Sequence, residues 1–385
     1  MFADRTNWNL APNRLSEALA RHLAHSWPLI DLTASNPTAC AFHYDAGAIL
    51  QALQDPEALS YHPQSRGLAS ARAAVAGYYR DHDIALSVDD IILTASTSEA
   101  YSFVFRTLCN PGDEFLVPAP SYSLFEYLAD IQDVKLLSYT LLYDHGWQLD
   151  FHAIEKAATP RTRGVIVVNP NNPTGNYIKP AELDALSGLC SARGMALISD
   201  EVFLDFSLDL SLPCTFAANN RALTFTLSGL SKISGLPQMK AAWLIVSGPS
   251  QLKAQALERL EVIADTYLSV STPVQLALPQ WLDQRHVFQQ QLMSRVRSNL
   301  AALDIQIELH KAVSRLRIEG GWYAVLRVPA TRTDEDLAIA ALEQKGVYVH
   351  PGHFFNFPSD GYIIVSLIVP EKQFAEGVKR LLSIV

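Results

Sequence analysis

The chain has 385 residues, more than one compact domain usually holds, so two hydrophobic cores, or one large domain with an appendage, are expected. Hydrophobic residues make up 49% and charged residues 18%, values of a folded protein that exclude a disordered or fibrous chain. A net charge of −9 argues against nucleic acid or an anionic membrane as the main partner, because the overall field repels both.

The amino-terminal stretch "MFADRTNWNLAPNRLSEALA" lacks the unbroken apolar core of a signal peptide, and no later stretch is long enough to cross a bilayer. Cys40, Cys109, Cys190 and Cys214 lie far apart, without zinc or redox-pair spacing, which suits a reducing compartment. A cytoplasmic protein is expected.

In chain order, Leu68, Ala71, Val75, Tyr78 and Tyr79 recur at helical intervals and predict an amphipathic helix between Ser65 and Asp83. "DDIILTA" (89–95) reads as a buried strand. Ser96 and Glu99 then fit a capping box on a helix that ends near Leu108, where Asn110, Pro111 and Gly112 stop it. Further apolar runs follow at 114–120, 164–170, 195–203, 222–229 and 241–248, most of them separated by helix-like segments. Such alternation predicts an α/β fold with a mostly parallel sheet, covered on both faces, whose chemistry lies beyond the strand ends.

From about Pro249 to His310 the chain is helical in character, with interruptions expected at Pro273 and Pro279. A smaller α+β unit follows. It comprises a strand at 322–328, a helix from Asp334 capped by Thr333 and closed at Gly346, strands at 347–350 and 362–367, and a helix from Glu371. The expected division is an amino-terminal segment, 1–45, joining the small domain; a large domain, 46–280; and a small carboxyl-terminal domain, 281–385.

Three features carry chemistry. "NPNNPTG" (169–175) follows one buried strand, "SDE" (199–201) follows the next, and "SGLSKISGLPQMK" (228–240) follows a third. Asn172, Asp200 and Lys232 therefore emerge on one sheet edge. Taken singly, each has an ordinary reading: a turn, a helix N-cap, a solvated loop lysine. Delivered together, an amide, a carboxylate and a lysine suit carbonyl chemistry, since a lysine attacks a carbonyl when burial or a neighbouring cation lowers its pKa.

On "NPNNPTG", "SDEVF" and "SGLSKISGLPQMKAAW" the chain resembles the class I/II aminotransferases, of the fold type I group of pyridoxal-phosphate enzymes, from about residue 30 to its end. The resemblance implies a homodimer that uses pyridoxal 5′-phosphate to move an amino group between an amino acid, or related amine, and a keto acid. Lys232 would form the internal aldimine and move the proton, Asp200 would pair with the ring nitrogen, and Asn172 would meet the phenolic oxygen. Ser96, Thr97 and Ser98 match a phosphate turn, although the capping box is the commoner use of such residues. Lys240 stands where the family usually has a phosphate-binding arginine. Tyr122 matches a residue stacked on the ring, a core tyrosine being the alternative. Tyr61 matches one that reaches the neighbouring subunit's phosphate, and "SVSTPVQ" (269–275) resembles a segment near the interface.

The sequence departs from the family pattern in places. Phe203 replaces a tyrosine that donates to the phenolic oxygen, and Gly229 replaces a hydroxyl residue for which Ser228 or Ser231 could compensate. Ile364, in "YIIVSL", replaces the arginine that grips a substrate carboxylate; Arg66 and Arg327 are the candidate substitutes. His350 and His353 border the expected substrate pocket, with two loop histidines as the simpler reading, and two histidines alone make no metal site. The missing arginine keeps open another reaction on the same cofactor: elimination, decarboxylation or cyclisation. A non-catalytic regulator binding the same cofactor is the reading from another class.

Overall fold

Eight strands form the central sheet, in the spatial order Ile91–Thr94, Ala242–Ser247, Thr224–Gly229, Ala196–Asp200, Thr162–Val168, Glu114–Ala119, Lys135–Tyr143, Trp147–Leu149. This is a computed structural model, and it describes residues 1–122, 125–209 and 214–385. Ala242–Ser247 runs antiparallel to both its neighbours and Trp147–Leu149 antiparallel to Lys135–Tyr143, while the central pairs are parallel. The parallel strands are buried throughout, as in Ala196–Asp200 and Thr224–Gly229, which is why they read as continuous apolar runs. Lys135–Tyr143 and Trp147–Leu149 were not among the sequence expectations. At the sheet's edge their residues are only partly buried, so their apolar signal is diluted.

The helix expected between Ser65 and Asp83 spans Ala69–Arg80, held back by Gly67, whose φ of +91° suits a residue without Cβ. The one expected after Ser96 spans Thr97–Leu108 and packs on Ser250–Tyr267. The expected break at Pro279 does not occur: Pro279 lies inside the helix Thr272–Asp283, while the chain turns at residues 268–271 and Pro273 takes the first helical turn. An interior proline costs about 3 kcal/mol. Here the same helix buries Leu278, Trp281 and Leu282, each contributing roughly 1.5–3 kcal/mol, so packing outweighs the lost backbone bond.

A second sheet has four antiparallel strands in the order Ser314–Arg315, Tyr323–Arg327, Tyr362–Ser366, His350–Pro351. The helix Asp334–Lys345 beside it is capped as expected, with Thr333 Oγ1 accepting from Asp336 N at 3.1 Å and Gly346 left-handed at the other end. The amino-terminal segment joins this unit: Ile30–Asp31 pairs in parallel with Val347–Tyr348, and the helix Arg14–Ala24 packs on Asp334–Lys345, with Arg14 and Asp336 in a 2.7 Å ion pair. Among the described residues no helix is long and apolar enough to cross a membrane.

Candidate active site

Because the strands ending at Thr94, Ala119, Val168, Asp200 and Gly229 all point the same way, the segments following them converge on one edge. The antiparallel strand Ala242–Ser247 starts at that edge and brings Lys240. A cavity of about 310 Å³ opens there, and Ser96, Thr97, Ser98, Tyr122, Asn172, Asp200, Phe203, Lys232 and Lys240 all line it. Tyr61 does not. It is 73% exposed and borders a separate, much smaller cleft, so a single chain leaves it outside the site.

Lys232 sits in the short helix Leu230–Ile233 directly after its strand. Its Nζ lies 5.0 Å from the centroid of the Trp322 ring and 5.7 Å from that of Phe203. These rings meet edge to face at 4.8 Å and form an apolar wall. Removed from water, the ammonium loses hydration that favours its charge, and its pKa falls to about 8, with the Asp200 carboxylate pulling weakly the other way. The cofactor-free protein should therefore be acylated at Lys232 with a midpoint near pH 8, measured by peptide mass spectrometry, while surface lysines follow near about 10.4. A Lys232 midpoint at the surface value would contradict the desolvation.

The two carboxylates of "SDE" separate by direction. Glu201 is fully buried and accepts from Phe216 N, Ser199 Oγ and Thr215 Oγ1, a structural role. Asp200 faces the cavity at 8% exposure and accepts from Tyr101 Oη at 3.1 Å and Val202 N at 3.2 Å. Burial pushes its pKa up to about 6 against those hydrogen bonds and the Lys232 charge.

In "NPNNPTG" most polar groups fasten the loop. Asn171 donates to Pro120 O and Thr174 Oγ1, Asn169 donates to Cys214 O, and Thr174 donates to Asn176 Oδ1. Gly175, at φ +72°, has no room for a Cβ, which would sit 2.6 Å from Gly320 O. Asn172 differs: its Oδ1 is buried without a partner, at the cavity wall. An amide with unspent hydrogen-bonding capacity facing a cavity is what a bound polar group would satisfy.

At the helix start, Ser96 Oγ accepts from Glu99 N at 3.2 Å and Glu99 Oε2 accepts from Ala95 N at 2.7 Å. The capping box thus uses those two amides, while Thr97 and Ser98 occupy the first helical positions, whose N–H groups have no partner within a helix. Capping and anion binding therefore use different groups. Ser228 is buried and donates to Glu201 O, whereas Ser231 lines the cavity, so Ser231 is the hydroxyl available beside Gly229. A Cβ at Gly229 would come within 2.8 Å of Ala242 Cβ, which explains the glycine. Tyr122 is 44% exposed, which excludes the core-tyrosine alternative.

The sequence-based candidates for a carboxylate grip are elsewhere. Arg66 is bound to Glu261 at 2.6 and 3.1 Å and to Asp89 O; Arg327 is exposed at the end of its strand. Neither lines the cavity, nor do His350 and His353. Tyr101, which holds Asp200, and Trp322, over Lys232, were not expected. Each is an aromatic residue distant in sequence from the group it touches, so no local motif marks it.

The family profile "Aminotransferase class I and II" matches residues 28–381. The chain belongs to that family. The aminotransferase is 24% identical over 362 residues to a protein of Haemophilus influenzae named glutamate-pyruvate aminotransferase AlaA, covering 92% of this chain and 89% of that one. It is 27% identical over 378 residues to the alanine aminotransferase of Mycobacterium tuberculosis, covering 94% and 86%. The solved structure of an alanine aminotransferase from Pyrococcus furiosus superposes with a TM-score of 0.89 at 22% identity, covering 100% and 99%. The fold is that of the fold type I pyridoxal-phosphate enzymes, and the protein is a pyridoxal-phosphate-dependent aminotransferase acting on amino and keto substrates. Elimination, decarboxylation and cyclisation are disfavoured beside it.

Pyridoxal phosphate fits the residues present. A desolvated amine, a buried carboxylate, a carboxamide at the cavity wall whose NH2 can donate, and a hydroxyl-lined helix start beside an ammonium match its aldehyde, ring nitrogen, phenolic oxygen and phosphate. Lys240→Ala should weaken pyridoxal-phosphate binding about tenfold, the value of one charge-assisted contact at an exposed site, by equilibrium dialysis. Affinity for unphosphorylated pyridoxal should not change. Equal weakening of both ligands would remove Lys240 from the phosphate.

Proposed function

We propose that this aminotransferase works through Lys232 as both nucleophile and proton carrier, with Asp200, Asn172 and Tyr122 holding the ring and Ser96, Thr97, Ser98 and Lys240 holding the phosphate. The observation that carries this reading is the Lys232 ammonium set against the Trp322 ring and facing Asp200 across one cavity. Bound pyridoxal phosphate supplies an electron sink that stabilises negative charge on a donor's Cα. The protein's own part is positional. Lys232, with its lowered pKa, is partly neutral near pH 7–8 and so can attack a carbonyl carbon; with the cofactor bound, its Nζ would be the group that takes the proton from the donor's Cα and returns it.

Asp200 would hold the ring nitrogen and favour its protonated form, and Tyr101 fixes the carboxylate for that role. Phe203 donates nothing, so the phenolic oxygen depends on Asn172. The Phe203–Trp322 wall limits water around the lysine. Two domains, with residues 46–280 carrying the cofactor and 1–45 plus 281–385 forming the smaller unit, place this cleft where relative motion can open it. Exposure of Tyr61 supports its reaching a neighbouring copy, hence a homodimer, and the free, widely spaced cysteines support a cytoplasmic setting.

Borohydride reduction of the holoenzyme followed by peptide mapping tests the assignment: the label should fall on Lys232 alone. Label on another lysine would overturn it. Sedimentation of the same sample should give twice the chain mass.

A further inference from the structure

Behind the cavity runs a buried polar chain that starts at His82, just past the helix Ala69–Arg80. His82 Nε2 lies 2.9 Å from Asp205 Oδ1 and its Nδ1 lies 3.1 Å from Tyr78 O, the side chains being 10% and 6% exposed for His82 and Asp205. A carboxylate and a carbonyl only accept, so both ring nitrogens carry a proton and the ring is an imidazolium. Burial opposes that charge, but the bonds to Asp205 and Tyr78 O, with the Asp205 and Glu201 charges, outweigh it and raise the pKa. Tyr78 Oη donates to the same Asp205 oxygen at 2.9 Å, and Arg285, over the Tyr78 ring at 5.2 Å, pairs with Asp81.

The other oxygen of Asp205 accepts from Gln289 Nε2, which also donates to Ile233 O at 3.1 Å. Set between a carboxylate and a carbonyl, this atom is the amide nitrogen, and its two hydrogens serve the two acceptors. Ile233 directly follows Lys232 in the one-turn helix Leu230–Ile233. So short a helix is marginal by itself, and its last carbonyls find no partner within it. Among the described residues, Gln289 supplies the one side-chain hydrogen bond to this helix. Asp205 stands two positions after Phe203, whose ring walls Lys232. The chain of bonds therefore ties the nucleophile's backbone to the turn carrying one of the two rings that desolvate it. A buried ion pair adds little net stability over an apolar replacement, whereas it does hold its bonded partners in place.

We propose that Gln289 is a positioning residue for Lys232, held in register by the His82–Asp205 pair, so that the lysine stays against the Trp322 and Phe203 rings and aimed into the cavity. Gln289 does not line the cavity, and its action passes through Ile233 O. Without it the short helix is free to turn, and the ammonium gains water and loses its aim. The inference rests on the Lys232 assignment.

Gln289→Met removes both donors while keeping charge, approximate volume and helix propensity, and two readouts on the full-length chain test it. In the cofactor-free chain the midpoint for acylation of Lys232 should rise by at least about half a unit above the parent's value near pH 8, as hydration returns. When that chain is mixed with increasing pyridoxal phosphate and quenched with borohydride, the limiting rate of linkage at Lys232 should fall about tenfold, the upper worth of one hydrogen bond. The half-saturating concentration should stay within about twofold. A merely structural tie would lower the unfolding temperature and leave the midpoint and the limiting rate where they were. A smaller rise in midpoint, or a limiting rate reduced by less than about threefold, overturns the proposal. Asp205→Asn should shift both readouts in the same direction, and the double variant should lie within about twofold of Gln289→Met alone, as for residues acting in one chain; effects that multiply overturn it. Should Gln289→Met fail to fold, Gln289→Asn, one methylene too short to reach both acceptors, takes its place under the same thresholds. Failure of the Lys232 assignment is read separately, as borohydride label on another lysine of the parent.

Discussion

Replacing Lys232 by alanine should lower kcat by at least about 10⁴-fold, because one side chain is asked to be both nucleophile and proton carrier. A small free amine that enters the cavity can replace the lost nucleophile and, less efficiently because it is not held in place, the lost proton carrier. Added ethylamine should therefore restore a part of the rate, while ethanol should not. The fold should survive, since the substitution removes a desolvated ammonium whose nearest rings are Trp322 and Phe203 and costs no core contact of comparable size. Thermal unfolding should show a midpoint at or above that of the parent. A K232A variant retaining a tenth of the parent kcat would end the assignment, and a collapsed variant would move the test to Lys232→Arg, which keeps a charge but cannot react.

The second large effect is expected at Asp200. Tyr101 Oη donates to one Asp200 oxygen and Val202 N to the other, so Asp200→Asn, an isostere with one oxygen, removes the charge and one of these two acceptors with little change of shape. The cost in kcat should be on the order of 10³-fold, comparable to deleting an aimed electrostatic contact in a dry site.

The pH dependence has a definite sign. Burial raises the Asp200 pKa to about 6 in the protein without its cofactor, so the carboxylate is ionised above that value and protonated below it. Pairing with a protonated ring nitrogen requires the ionised form. Affinity for pyridoxal phosphate should therefore fall as pH drops below about 6 in the parent, and this dependence should vanish in Asp200→Asn. Dialysis at pH 5 and pH 7 measures it. An identical pH profile in both proteins would show that Asp200 does not face the ring nitrogen.

Strand and loop order was readable because the parallel strands are buried on both faces and so stand out as apolar runs, each followed by a polar loop. Asn172, Asp200 and Lys232 follow three such strands, and the structure places them in one cavity as that order implies. Edge strands such as Lys135–Tyr143 escaped notice because partial exposure weakens their pattern. Pro279 misled because proline's local cost is visible in sequence, whereas the burial of Trp281 and Leu282 that offsets it is not.

The amino-acid sequence by itself determined the chemical inventory: a lysine, a carboxylate, an amide and a hydroxyl turn at strand ends, and an isoleucine in the small-domain strand, since these are identities and spacings. Only the tertiary structure decided which of them are free to act. It tied Asn169 and Asn171 into the loop while leaving Asn172 unsatisfied, sent Glu201 inward and Asp200 toward the cavity, drew Arg66 to Glu261, and laid Trp322 against Lys232 from ninety positions away in the chain. Solvation and pairing belong to neighbours in space, and these groups owe their reactivity to being desolvated or left without a partner.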